Sequence, residues 1–113
     1  MVSHVVLMKP RPDLSAGERH ALIDAFERAV REIPSVRDVR IGSRIVHGAG
    51  YEQTAPDAGD YFIAIGFDDL AGLQEYLRHP LHESLGARFY QSLSSALVYD
   101  LEMGGVERLA GLR

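Results

Sequence analysis

Three stretches of this 113-residue chain place apolar side chains on both faces of a predicted β-strand. They are Val2 to Met8, Tyr61 to Phe67 and Ala96 to Met103, and β-branched and aromatic residues are frequent in them. A fourth stretch, Val36 to Val46, alternates between apolar and charged residues, which predicts a strand with one solvated face. Helices cover only one face of a small antiparallel sheet, so the second apolar face needs another partner. The pattern predicts a homodimer in which two such sheets face each other and form a barrel.

Two amphipathic segments separate the predicted strands. The first opens with a capping box at Ser15 to Glu18 and ends at Pro34. The second follows Asp68, which can cap it, and breaks at His79 and Pro80. Because proline suits the first turn of a helix, a further short helix should begin at Pro80. The order strand, helix, strand, strand, helix, short helix, strand predicts an α+β ferredoxin-like βαββαβ fold.

The length of the chain fits one domain, which we place at residues 1–103, with a C-terminal tail at 104–113 after a pair of glycines. The segment 47–60 is rich in Gly, Pro and Asp and lacks a hydrophobic period, which is typical of a long loop. Since such loops are often functional, we expect it to be more mobile than the strands and to lie near a pocket mouth.

Composition excludes several partners and cofactors. A formal net charge of −4 without a run of Lys or Arg argues against nucleic acid binding. The chain has no cysteine, and therefore no disulfide framework, thiolate nucleophile or Cys-based zinc site. The apolar run at the N-terminus is too short and wrongly flanked for a signal peptide or a membrane span, so a soluble cytoplasmic protein without a membrane partner is expected. Dinucleotide and phosphate-binding glycine motifs are absent, so any catalysis is predicted to need no cofactor.

The junction of the two later predicted helices concentrates groups that can exchange protons: Tyr76, His79 and His82. His82 can act as a general base near neutral pH, and Tyr76 can donate a hydrogen bond to a developing enolate oxygen. The alternative is that His82 caps a helix while Tyr76 packs in the core. His4 has the same two interpretations, as a pocket group or as a strand histidine bonded to a backbone carbonyl. No carboxylate or cysteine nearby completes a metal site with the two joint histidines, so none is predicted.

Five short segments, in their order along the chain, resemble the stress-responsive dimeric α/β-barrel domain family, often called Dabb. The segments are His4 to Lys9, Ile33-Pro34, Asp60 to Phe67, Tyr76 to His82 and Tyr99-Asp100. The resemblance covers nearly the whole chain except the long loop and the tail, and it implies the same dimeric barrel.

The family includes a polyketide cyclase as well as stress-induced proteins, and the resemblance implies roles for single residues. In the cyclase, a helix tyrosine and the second histidine of the His-Pro-x-His motif act on the substrate, and these positions here are Tyr76 and His82. A pocket histidine of the first strand corresponds to His4. However, Phe26 stands where the cyclase has a further tyrosine, and Tyr61 stands where it has a histidine. The substrate therefore does not follow from the resemblance.

We predict a small-molecule binding protein that holds an apolar or aromatic ligand in its barrel pocket. A second interpretation is an enzyme that uses the same pocket, with His82, Tyr76 and His4 as its catalytic residues. Further candidates for substrate binding are Phe26, Tyr61, Ile63, Ile65, His79 and Phe89. The reaction expected of such a site is cyclase, lyase or isomerase chemistry by general acid–base catalysis. Two alternatives stay open, a non-catalytic stress-responsive dimer and a cofactor-independent monooxygenase.

Overall fold

The four predicted strands pair into one antiparallel sheet in the computed structural model, which describes residues 1–57 and 59–113. The elements are β1 (Val2–Pro10), α1 (Ala16–Glu32), β2 (Asp38–Ser43), β3 (Tyr61–Phe67), α2 (Leu70–Arg78), α3 (Pro80–Ser92) and β4 (Leu93–Glu102). The strand order β2-β3-β1-β4 and the helices between the strands confirm the predicted α+β ferredoxin-like fold. Within the described part of the chain, none of the helices has the length and apolar content that a membrane span requires.

Strand pairing explains where the strand boundaries differ from the sequence pattern. The register ends with Ser43 opposite Tyr61, so β2 stops where β3 begins, well before the predicted end at Val46. In contrast, β4 begins at Leu93, earlier than predicted, because β1 continues to Pro10 and provides a partner. The alternation of apolar residues does not predict these strand boundaries, because a strand is paired only where its neighbour provides a partner.

Helix caps agree with the sequence except at one position. Ser15 and Glu18 form the predicted capping box of α1. Asp69 caps α2 by accepting a hydrogen bond from the Gly72 amide, whereas the predicted cap, Asp68, accepts one from the Arg37 side chain. The two aspartates are adjacent in sequence, and the backbone geometry selects the second.

The core lies between one face of the sheet and the three helices. Its members from the sheet are Val2, Val6, Ile63, Ile65 and Phe67, and those from the helices include Leu22, Ala29, Leu73, Tyr76 and Leu85. Alternation along β1 and β3 points these sheet residues to one side. The face toward the helices is therefore the closed side of the domain.

The opposite face of the sheet, here called the outer face, is uncovered and is apolar across β3, β1 and β4, whereas β2 contributes Asp38 and Arg40 to it. Its apolar part is formed by Val5, Leu7, Phe62, Ala64, Leu97, Tyr99 and Leu101. Phe62, Leu97, Tyr99 and Leu101 are all exposed, Tyr99 to 58%. Contiguous apolar patches of this kind on small domains usually mark an interaction surface.

Two segments outside the main elements form short 3₁₀ helices. Gly50–Gln53 lies in the predicted loop 47–60, of which Ala58 is outside the described residues. An ion pair between Lys9 and Asp57, together with a hydrogen bond from the Asp60 amide to the Met8 carbonyl, holds the loop at the end of β1. The tail forms a second 3₁₀ helix, Val106–Leu112.

His79 connects α2 to α3 and sets the angle between them. Its amide donates to the Tyr76 carbonyl at the end of α2, and its Nδ1 accepts a hydrogen bond from the Leu81 amide at 3.1 Å. The residue has an extended backbone (ψ 139°), as expected immediately before Pro80. His79 thus ends one helix and caps the next, as the break in the sequence pattern predicts.

Replacing His79 with Ala should lower the free energy of unfolding by about 1 kcal/mol, because the start of α3 loses its side-chain cap. His79→Asn is the matched control, since asparagine can cap the same amide and should restore most of the stability. Urea unfolding of the three proteins measures the effect. Equal stability of the Ala and Asn variants would contradict the capping role.

Candidate functional site

The Tyr76 ring occupies the centre of a cluster of aromatic side chains beneath the helices. It is 1% exposed, and its centroid lies 4.8 Å from that of His82 and 5.3 Å from that of Phe67. His4, on β1, approaches from the sheet with its ring centroid 5.9 Å from that of Tyr76. The three predicted catalytic side chains therefore lie together on the closed side of the domain.

His4 is held by a carboxylate on the neighbouring strand. The register of β1 and β4 places His4 directly opposite Asp100, and Nδ1 of His4 lies 2.6 Å from Oδ1 of Asp100. The imidazole is buried, whereas the carboxylate is partly exposed, with 45% of its side chain accessible. Since a carboxylate oxygen accepts hydrogen bonds, this contact assigns the Nδ1 proton to His4 and leaves Nε2 available for another partner.

Burial shifts the pKa values of the other two groups in directions that suit acid–base chemistry. It raises the pKa of Tyr76 to about 12, so the phenol keeps its proton throughout the physiological range. Burial also lowers the pKa of His82, and the nearby charge of His4 lowers it further, against smaller opposing effects of the Leu77 backbone and Glu83. His82 is therefore held in the neutral form that a general base requires.

The other predicted site residues are distributed through the domain. Ile63 and Ile65 are buried in the core, and Phe26 and Phe89 are partly buried against it. Tyr61 begins β3 and is exposed to 43%. His79 is occupied as a helix cap, and the loop 47–60 contacts β1 at Met8 and Lys9, roughly 13 Å along the strand from His4.

Two residues of the cluster were absent from the predicted set, Asp100 and Phe67. The signal for Asp100 is a charge within a mostly apolar strand, on the face opposite to Tyr99 and Leu101 and shared with Glu102. Its partner His4 is 96 residues away, so only the strand pairing reveals their contact. Phe67 lies on the face of β3 that packs on the helices, and its contact with Tyr76 depends on how α2 is placed on the sheet.

The cluster is packed rather than open. Two surface grooves of about 410 and 330 Å³ run along α1 and beside the start of α2, and neither contains a residue of the cluster. The described residues also contain no group of three His, Cys, Asp or Glu side chains placed to hold a metal ion. The arrangement offers a protonated phenol that lies beside two imidazoles, one neutral and one bound to a carboxylate.

The chain has the architecture of a class of small α+β domains. Its four-stranded ferredoxin-like sheet has one uncovered apolar face, and histidine and tyrosine side chains lie beneath its helices. The family model described as stress responsive A/B barrel domain, or Dabb, matches residues 2–103. The chain belongs to this family, which confirms the resemblance found in its sequence.

Three relatives show how far the similarity extends. Olivetolic acid cyclase of Cannabis sativa is 18% identical over 99 residues, which cover 88% of this chain and 93% of the cyclase. The structure of a hydroxynitrile lyase from Passiflora edulis superposes with a TM-score of 0.77 at 13% identity, over 93% of this chain and 94% of the lyase. A dimeric ferredoxin-like protein of Thermobifida fusca gives a TM-score of 0.69 at 18% identity, over 90% of each chain. At these identities the two structures establish the fold that they share with this chain.

The lowered pKa of His82 predicts a loss of stability in mild acid. An unfolded histidine takes up a proton near pH 6.5, whereas folded His82 resists protonation until a lower pH. As the pH falls through this window, the unfolded state gains a proton that the folded state lacks, so the free energy of unfolding decreases. Urea unfolding between about pH 7.5 and about pH 5 should show a shallower decrease for His82→Gln than for the unmodified protein.

His20→Gln is the control, because His20 lies on the exposed side of α1 and should leave the pH dependence unchanged. An identical pH dependence for His82→Gln and the unmodified protein would show that the His82 pKa is not depressed by folding.

Proposed function

We propose that this protein binds an apolar or aromatic carbonyl compound and catalyses cyclase, lyase or isomerase chemistry on it by general acid–base catalysis without a cofactor. The contact between His82 and Tyr76, at 4.8 Å between ring centroids, is the observation that carries the proposal. A base and a hydrogen-bond donor within one side-chain length of each other can act on the same substrate group.

In this proposal His82 removes a proton from the carbon beside a carbonyl group. Its lowered pKa keeps the imidazole neutral and ready to accept that proton at neutral pH. The electrons move onto the carbonyl oxygen, where negative charge develops as the enolate forms. Tyr76 stabilises this charge by donating a hydrogen bond, and its raised pKa ensures that the phenol remains a donor.

His4 and Asp100 support the two reacting groups. Asp100 fixes the orientation of His4 through the bond to Nδ1, which directs the rest of the imidazole toward the interior of the site. His4 and His82 also interact electrostatically, since a positive charge on one imidazole opposes protonation of the other. We assign His4 a role at the substrate and Asp100 a positioning role.

The surroundings of the cluster favour a ligand with an apolar body. Phe67 touches Tyr76, and Ile65 lies beside His4 in the β-ladder, so the groups next to the polar atoms are aromatic or aliphatic. Our proposed binding set also includes Phe26, Ile63 and Phe89, which lie in or against the core, together with Tyr61 and His79. Two relatives, olivetolic acid cyclase and a hydroxynitrile lyase, belong to the cyclase and lyase classes that we propose here.

A second candidate function is a non-catalytic, stress-responsive dimer. The 1% exposure of Tyr76 favours it, since a ligand reaches the phenol only if side chains of the cluster move. In that case His82 and Tyr76 stabilise the junction of α2 and α3, and the dimer itself is the functional unit.

The two candidates differ in a proton-exchange experiment. Phenylacetone, an aromatic ketone, is incubated with the protein in deuterated buffer, and loss of its α-protons is followed by NMR. Catalysis should accelerate the exchange, and His82→Ala should slow the catalysed rate by roughly 100-fold or more. Tyr76→Phe should reduce it by a similar factor, roughly 100- to 1,000-fold, because the enolate loses its donor.

Lyase chemistry is tested with the same variants on an aromatic hydroxynitrile, and the measurement is the rate at which its aldehyde is released.

His47→Ala is the matched control, because His47 is an exposed loop histidine away from the cluster and should leave both rates unchanged. If His82→Ala retains the full rate on either probe, the proposed mechanism is wrong. If neither probe is turned over and His82→Ala only lowers the melting temperature, the non-catalytic dimer is the better description.

We also propose that the protein is a homodimer joined through the outer face of its sheet. The exposed apolar residues of that face support it, and the Thermobifida fusca relative is described as dimeric. Leu101→Asp should dissociate the dimer, because it places a charge within the apolar contact. Sedimentation at micromolar concentration should give twice the chain mass for the unmodified protein and one chain mass for the variant.

Leu70→Asp provides the control for this substitution, since Leu70 is exposed at the start of α2 on the opposite side of the domain. A monomeric unmodified protein, or a Leu101→Asp variant that stays dimeric, would contradict the proposed interface.

A further inference from the structure

The segment Val106–Leu112, here called the C-terminal arm, presents a single apolar stripe. In a 3₁₀ helix, residues three positions apart lie above one another. Val106, Leu109 and Leu112 have this spacing, so they align on one side of the arm. Glu107, Arg108 and Arg113 occupy the other positions, and the arm is therefore amphipathic.

The stripe is not packed against its own subunit. Val106, Leu109 and Leu112 are exposed to 78%, 58% and 82%, respectively. Exposure of three large apolar side chains in a row is costly in water, and burying each of them against a partner is favourable. The arm also lies beyond the part of the chain that the family model matches, which ends at residue 103.

Local hydrogen bonds support the helical conformation of the arm without a partner. The Glu107 carboxylate accepts a hydrogen bond from the Gly105 amide at 2.8 Å, and bonds to backbone amides lower the pKa of this carboxyl group. The Arg108 amide donates to the Gly105 carbonyl, which closes the first turn. A preordered segment loses less conformational entropy on docking than a flexible one.

The arm leaves the sheet at the rim of the outer face. Pairing continues one residue past β4, since the Met103 amide donates to the Met1 carbonyl. The Met1 side chain lies close to Gly66. Gly66 pairs with Ser3, which in turn pairs with Leu101, so Met1 lies on the outer face of the sheet. Met1 and Met103 are both exposed, so apolar surface extends from the outer face toward the base of the arm.

We propose that the C-terminal arm docks on the second copy of this chain through Val106, Leu109 and Leu112 and so extends the dimer interface beyond the two sheets. This inference rests on the homodimer proposed above. A second copy is the favoured occupant because the arm starts at the rim of the outer face, where the proposed interface ends.

Sedimentation equilibrium over a dilution series tests the proposal. The triple variant Val106→Ser, Leu109→Ser, Leu112→Ser should raise the dimer dissociation constant by about tenfold or more, and deletion of residues 104–113 should have at least the same effect. The matched control is the double variant Arg108→Ala, Arg113→Ala, which alters the polar side of the arm and should leave the dissociation constant within about twofold.

A dimeric unmodified protein whose dissociation constant is unchanged in the triple variant would overturn the arm proposal alone. A monomeric unmodified protein would instead overturn the homodimer itself. Packing of the arm on its own subunit is tested in the Leu101→Asp background, where the triple variant should leave the melting temperature of the monomer unchanged. A clear decrease there would show that the stripe packs within one chain and would also overturn the proposal.

Discussion

The packing of the Tyr76 ring joins the stability of the domain to its candidate chemistry. The ring lies against Phe67 from the sheet, His4 from β1 and His82 from α3, so three elements meet at one side chain. Each of these contacts also removes water from the phenol. The same burial that stabilises the fold therefore determines which groups of the cluster carry protons, and the fold and the site cannot be changed independently.

This arrangement has opposing effects on function. A dry environment strengthens hydrogen bonds to a developing negative charge and keeps His82 neutral. The same close packing that excludes water means that a substrate must displace side chains in order to reach the phenol. Two groups of the cluster are partly exposed, the Asp100 carboxylate at the edge of the sheet and the His82 imidazole. The polar end of the cluster therefore faces the solvent, and its aromatic end faces the core.

The sequence predicted the elements that depend on local pattern and missed features that depend on distant pairing. The capping box at Ser15 to Glu18 and the break at Pro80 are local signals, and the structure contains both. The apolar faces of the strands likewise follow from alternation within a few residues. The length of β2 and the partner of Asp100 were not predictable in this way, since both are set by strand register. Sequence spacing suggested the proximity of Tyr76 and His82, but Phe67 emerged only once helix and sheet were packed.

The cap at His79 makes the number of residues between the two reactive groups as important as their identity. Six positions separate Tyr76 from His82, and the joint divides them between the end of one helix and the first turn of the next. Each residue added to a helix rotates all that follow by about 100°. A single insertion or deletion after Pro80 would turn the imidazole away from the phenol even if every side chain were retained. The joint therefore constrains the length of the chain between the two groups as strictly as the groups themselves.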